Sequence, residues 1–358
     1  MVDLAVTDFW KPRLTLEENM AKTRANRAPA MLDVARVSGV SAQTVSRVLS
    51  NHPNVQEGTR DRVLQAVEQL GYRRNNTARA LVTGLSHTIG LVSLATNYYS
   101  RSSLALGIEL EARESGYAVN SVTASSLSVE GLTEAVNRLI LQGVDGLIIA
   151  TPLLGGASRI RELIARIPTV TIDGSFGTAD ESVGVDQDTA VVLATRHLLD
   201  LGHRTVWHLA GPQEWSDASA RLSSWRRVLQ EDNREVPPVL YGDWSPASGY
   251  HNGLLLGRMP EVTAILVASD EMAFGVMSAL TEMGRRIPED VSVVGIDDID
   301  LSAYATPPLT TVRQPFQDTG RRAVFHLLQQ ITDPEGLHVP RTEQPTLIIR
   351  GSTAPPQS

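Results

Sequence analysis

The chain has 358 residues, 42% hydrophobic and 20% charged, with a formal net charge of -8 and no cysteine. That length exceeds one small core and leads to two or three domains. Without cysteine, disulfides and thiolate metal sites are excluded, and no apolar run reaches the roughly 18 residues of a membrane-spanning helix.

The opening stretch MVDLAVTDFWKPRLTLEEN is interrupted by acids and lacks a basic-then-apolar leader. A cytoplasmic protein with no membrane partner is expected. Residues 1–27 show no sustained periodicity. They read as a disordered extension, or as sequence upstream of a start at Met20.

Charge is unevenly spread. Residues 20–85 hold ten Lys and Arg against four Asp and Glu, whereas residues 86–358 hold 20 against 32. A basic head on an acidic body points to a polyanion partner for the head alone. An ordinary solvated surface is the bland alternative.

Three short helices are predicted across residues 31–70. MLDVARVS ends at Gly39, a residue type suited to a left-handed helix end. The second helix follows Ser41, a good N-cap, and turns Val45, Val48 and Leu49 inward. The third, TRDRVLQAVEQLG, places Val63, Leu64, Val67 and Leu70 on one stripe. Neither Ala30 nor Gln56 offers the first or third helix a customary polar cap.

The first two helices and their tight turn make a helix-turn-helix. Its second helix can enter the major groove, about 12 Å wide, leading with its N-terminal residues. Gln43 suits adenine and Arg47 suits guanine. A small helical cap with a solvated face is the alternative. YRRNNTARALVTG follows, too short for a stable free helix. It reads either as a linker or as a hinge helix that folds on DNA and wedges Leu81 into the minor groove.

From residue 86, apolar runs of four to seven residues alternate with helical stretches: TIGLV, YAVNSV, GLIIA, PTVTI, TVWHLAG, VLYG, TAILVA and VSVVGI. Such alternation means parallel sheets covered on both faces, and the unit count suits two doubly wound lobes. Ligands in these folds bind beyond the carboxyl ends of strands. There the sequence places Leu94, Asp173, Asp243, Trp244, Ser269, Asp270, Asp297 and Asp298, with Arg221 in the helix after TVWHLAG. Carboxylates, an arginine and a tryptophan make a sugar-like lining. The aspartates could instead cap loops, Arg221 could be solvated, and Trp244 could be core. Adjacent Asp297 and Asp298 point to opposite sides, which argues against a catalytic pair. No hydrolase, metalloprotease, Walker or dinucleotide motif is present. His203 and His208 read as structural, and neither an enzyme nor a cofactor is expected.

DVARVSGVSAQTVSRVLSN, ARALVTG, GVDGLII, SARLSSW, GDWSPASGY, ASDEMAFGVMSAL, IPEDVSVVGIDD and PPLTTVRQP together resemble the lactose-repressor (LacI) family of bacterial transcription regulators. The resemblance runs from about residue 30 to about residue 350. It implies an all-α helix-turn-helix head over residues 28–74, a hinge helix over 75–85, and an α/β core over 86–358. That core would be two-lobed and periplasmic-binding-protein-like, with lobe crossovers near 185–187 and 312–316.

By the same resemblance, Gln43 and Arg47 would read bases beside Ala42 at a specificity position. Ser41, Thr44, Ser46 and Asn75 would contact the DNA backbone, and Ala78 and Leu81 the minor groove. Leu94, Asp173, Arg221, Trp244, Ser269, Asp297 and Phe316 would bind the effector. Ser269 and Leu94 depart from polar residues of the family pattern, Ala42 from an aromatic base-reader, and Arg74 from a hinge proline. The chain end PTLIIRGSTAPPQS has no counterpart to the leucine-heptad tail that a tetrameric member of the family carries, so a homodimer is expected.

The implied function is a sugar-responsive repressor on a pseudo-palindromic operator, associated with the nucleoid. Its inducer would be a glycoside or disaccharide of galactoside or glucoside type. A corepressor-dependent regulator with a non-sugar effector and a sugar-binding transport protein are the alternatives.

Overall fold

The computed structural model describes residues 29–49, 52–72, 84–94, 99–124, 126, 128–151, 158–173, 182–333, 336 and 342–357. The expected N-terminal extension and the hinge residues Asn75, Ala78 and Leu81 lie outside these. The chain divides into two compact units, Met1–Val82 and Thr83–Ser358.

The first unit holds helices α1 (Met31–Ser38), α2 (Ala42–Leu49) and α3 (Glu57–Leu70). α1 ends at Gly39 with φ 66°, a left-handed cap that costs glycine least. Its N-terminus is better capped than the sequence predicts, because Asp33 reaches back and accepts from the Ala30 N–H at 2.9 Å. Val34, Val45, Val48, Val63 and Ala66 form the core, with Leu49, Val67 and Leu70 packed against it. Leu64 is the exception to the expected stripe. It is 48% exposed, and the smaller Ala66 fills the interior position where three helices crowd together.

The second unit contains two six-stranded sheets, each covered by helices. The first lobe has the order β11-β5-β4-β3-β1-β2. It uses β1 (Thr88–Leu94), β2 (Ala118–Ala124), β3 (Gly146–Ile149), β4 (Thr169–Ile172), β5 (Ser182–Val185) and β11 (Thr342–Glu343). Its helices are α4 (Tyr99–Glu114), α5 (Val129–Leu141), α6 (Ser158–Ile164) and α11 (Phe316–Thr332). The second lobe has the order β12-β10-β9-β8-β6-β7. Its strands are β6 (Trp207–Ala210), β7 (Leu240–Tyr241), β8 (Ala264–Val267), β9 (Ser292–Asp297), β10 (Thr310–Arg313) and β12 (Thr346–Ile348). Its helices are α7 (Gln187–Asp200), α8 (Ser216–Glu231), α9 (Pro246–Leu256) and α10 (Asp270–Glu282). The strand pairs are parallel except β10 with β12. The central strands are buried on both faces, as their unbroken apolar runs require.

The chain passes between lobes three times: from β5 into α7, from β10 into α11, and from β11 to β12. α11 escaped the strand-and-helix reading. It leaves a strand of the second lobe yet covers the first-lobe sheet and packs on α4. That packing is close: a Cβ on Gly107 would lie 2.2 Å from the Gln317 carbonyl oxygen, so only glycine fits. Among the described residues, no helix is long and apolar enough to cross a membrane.

Candidate ligand cleft and nucleic-acid interface

In the helical head, Ser41 caps α2 by accepting from the Thr44 N–H at 3.1 Å, and its hydroxyl also bonds that of Thr44 at 2.9 Å. Gln43 and Arg47 are exposed, and Thr44 and Ser46 are half-buried beside them. Ala42 packs partly against the head's core. One polar edge of a capped helix is thus presented outward while Val45 and Val48 anchor the other edge.

In the second unit, a cleft is lined by residues from both lobes. Asp173, Arg221, Trp244, Ser269, Asp297 and Phe316 all line it. Leu94 does not. It sits at the end of β1, 9% exposed, and packs into the apolar core. Its side chain has nothing to offer a polar ligand.

Three of these residues sit at or just past strand ends in the left-handed region of backbone space: Asp173 at φ 53°, Trp244 at φ 73° and Asp297 at φ 126°. Non-glycine residues rarely adopt such angles, and strain of this kind collects at functional sites. Trp244 lies against Gly211 and meets Trp215 edge-to-face, with ring centroids 5.7 Å apart. Ser245 caps α9 and Pro246 opens it, which fixes the turn that carries the indole.

Arg221 lies with its guanidinium carbon 5.6 Å from the centroid of the Trp244 ring. Its Nε donates to Gln187 Oε1 at 2.8 Å, and its Nη1 donates to the Ala268 carbonyl. Gln187 Nε2 donates to Gln314 Oε1 at 2.8 Å, and Gln314 Nε2 donates to Asp297 Oδ1 at 2.7 Å. Arg221 Nη2 lies 4.0 Å from the same Asp297 oxygen and closes the ring of groups. Burial raises the Asp297 carboxyl well above its usual range, with Arg221 opposing. Ser269 caps α10 through its bond to the Met272 N–H at 3.3 Å.

Asp173 belongs to the first lobe, and its carbonyl accepts from Ser216 Oγ of the second lobe at 2.6 Å. Burial, and then repulsion from Asp217, raise its carboxyl to about 7; Arg101 and Arg221 oppose the shift.

The other strand-end acids do structural work. Asp270 accepts from Thr311 Oγ1 and Ser302 Oγ, both at 2.6 Å, and ties α10 to β10. Asp298 turns the opposite way from Asp297, to Arg313 at 2.7 Å and Arg350 at 2.6 Å. Asp243 accepts from the Ser245 N–H within its own loop. His203 bonds Thr263, Ser292 and the Ala354 carbonyl, and His208 bonds the Leu266 carbonyl.

Sequence reasoning missed Ser100, Arg101, Leu104, Trp215, Asp217 and Glu271, which also line the cleft. The rule that placed the others stopped at strand ends. Extended into the first turn of the following helix, it reaches Arg101 on α4, Asp217 on α8 and Glu271 on α10.

Residues 30–75 match the family model "Bacterial regulatory proteins, lacI family", and residues 195–353 match the "Periplasmic binding protein-like domain". The lactose operon repressor of Escherichia coli is 35% identical over 303 residues, 84% of each chain. The ribose operon repressor of Escherichia coli is 32% identical over 333 residues, 90% of this chain and 99% of that one. A crystal structure of the lac repressor dimer bound to operator and the anti-inducer ONPF superposes with a TM-score of 0.83 at 33% identity. It covers 92% of this chain and 100% of that one. With a basic helix-turn-helix head, a two-lobed core of this topology and relatives matched over most of its length, the chain belongs to the LacI family of DNA-binding transcriptional repressors.

Proposed function

We propose that this repressor controls sugar-utilisation genes and leaves its operator when a neutral glycoside or disaccharide, of galactoside or glucoside type, enters the cleft. The observation that carries this reading is the ring formed by Arg221, Gln187, Gln314 and Asp297 beneath the Trp244 indole. It combines fixed polar groups with an aromatic face, which suits hydroxyls and the C–H face of a pyranose. Asp217 and Glu271 stand in the lining with Arg101 and Arg221, so a phosphorylated effector would meet carboxylates of its own sign there.

On the DNA side, the head spans residues 28–74 and the hinge helix 75–85. A homodimer sets two heads on a pseudo-palindromic operator in the bacterial nucleoid. Gln43 and Arg47 contact bases beside Ala42. Ser41, Thr44, Ser46 and Asn75 hold phosphates, and Ala78 and Leu81 enter the minor groove. Release requires the sugar to prefer the non-binding state, by about 1–3 kcal/mol in typical allosteric systems.

Fluorescence anisotropy of the full chain on DNA from upstream of its own gene tests this. Lactose or cellobiose should lower operator affinity at least fivefold. Indifference to both and to their component monosaccharides defeats the sugar assignment, and tighter DNA binding on adding a purine base reverses the sign.

A further inference from the structure

Arg101, in the first turn of α4, belongs to the first lobe; Trp215 and Asp217, at the start of α8, belong to the second. They meet at the cleft. Arg101 lies 5.5 Å from the centroid of the Trp215 ring, and its Nη2 lies 4.0 Å from Asp217 Oδ2. The two ionic side chains are only 9% and 13% exposed.

Neither is fully used by the protein. A strong arginine–carboxylate bond is about 2.7–2.9 Å long, and this pair stands well outside that. Arg101 Nε is buried and has no hydrogen-bond partner among the described residues. Ser216 Oγ lies 3.1 Å from Asp217 Oδ1 but 2.6 Å from the Asp173 carbonyl, and its single proton goes to the shorter bond. The cleft therefore holds a buried donor and a buried acceptor with capacity to spare, where an unmade hydrogen bond is costly.

We propose that Arg101 and Asp217 act as a cross-lobe specificity pair that takes two neighbouring hydroxyls of a neutral sugar, one accepting from Arg101 and one donating to Asp217. This rests on the sugar reading of the cleft and names the part of the sugar that is read. A vicinal diol satisfies both groups at once, whereas an isolated hydroxyl satisfies one. A carboxylate or phosphate would satisfy Arg101 but bring a second negative charge beside Asp217, with Glu271 in the same lining. Because the pair spans the lobes, a bound diol also links them.

The test is isothermal titration of the full chain with lactose, cellobiose and lactobionate. It is followed by the monodeoxy derivatives of whichever neutral disaccharide binds. R101Q and D217N should each weaken that disaccharide tenfold or more. One monodeoxy derivative should bind wild type at least tenfold more weakly than the parent, and R101Q should erase that preference. A pair serving only to hold the lobes together would instead weaken every derivative equally, which overturns the proposal. So does binding of the parent sugar within twofold of wild type in both variants. Lactobionate binding more tightly than lactose, through Arg101, overturns the neutral class. If wild type binds neither neutral disaccharide, the sugar reading fails and takes the proposal with it.

Discussion

Gln187 and Gln314 join two of the three chain segments that cross between the lobes: the Gln187 amide donates to the Gln314 carbonyl oxygen at 2.8 Å. One stands at the start of α7, just after β5, and the other between β10 and α11. Their outer ends hold Arg221 and Asp297, so the polar floor of the cleft is also a tie across the hinge. In a buried network each bond supports its neighbours. Q314L should remove the donor to Asp297 and the acceptor for Gln187 together, in a side chain that is 4% exposed. Unsatisfied buried polar groups cost about 1–3 kcal/mol each. Thermal unfolding of the core should shift down accordingly, and the sugar response should vanish while the separately folded head keeps its DNA contacts. Wild-type effector response in Q314L would show that the tie is dispensable.

Trp244 depends on a neighbour that has no side chain. A Cβ at Gly211 would sit 2.3 Å from the indole Cη2, so G211A must push the ring out of position. Overpacking of this kind costs about 1–3 kcal/mol. The expected outcome is a folded repressor that binds operator normally and needs at least tenfold more sugar for release. W244A should be insensitive to sugar in the same assay. A G211A protein with wild-type sugar affinity would mean that the aromatic face is not what holds the ligand.

Most of the core's order could be read from the chain because its strands are short apolar runs, and buried parallel strands have no other way to look. β5 and β10 escaped for the opposite reason. SVGV and TTVR are brief and partly polar, and they gain their partners only once the sheets assemble. α11 escaped because it crosses lobes, which no local pattern records. The strand-end rule located Asp173, Trp244 and Asp297, while the left-handed backbone that aims them had no signature in residues other than glycine. Leu94 satisfied the rule and still turned inward, since an apolar side chain at a strand end can pack as easily as line. Leu64 fell on the right helical stripe but the wrong edge of it, where α3 has no helix to meet among the described residues.

Arg47 is exposed on α2 and packs on nothing that the head's fold requires. R47A should therefore leave thermal stability unchanged while weakening operator binding by about 1–3 kcal/mol, the usual value of a good base contact. The loss should concentrate at one base pair of each half-site. Anisotropy against operators carrying single substitutions measures this directly. Uniform weakening across all sequences, with a shallower salt dependence, would place Arg47 on a phosphate instead.

The cleft should also feel pH through Asp173. With the lobes bridged, burial and the nearby Asp217 hold its carboxyl at about 7, against 3.8 for an ordinary aspartate; Arg101 and Arg221 only partly oppose them. Parting the lobes would return the group to water and towards its ordinary value. Ligand-driven closure should then take up a proton between about pH 4 and 7, because the closed form holds that proton more tightly. The sign follows from linkage: a group whose pKa is higher in the closed form favours closure below both values, and the advantage fades as pH rises through the higher one. Sugar affinity should accordingly fall as pH rises from 5 to about 7, by no more than about tenfold per unit for one proton, and level off above that. D173N should flatten this slope. The burial-raised Asp297 has the same sign and leaves a residual dependence in D173N. Calorimetric titration in two buffers of different ionisation enthalpy counts the proton directly. Affinity that rises with pH over this window would mean that the ligand donates to an ionised Asp173 strongly enough to reverse the effect of burial.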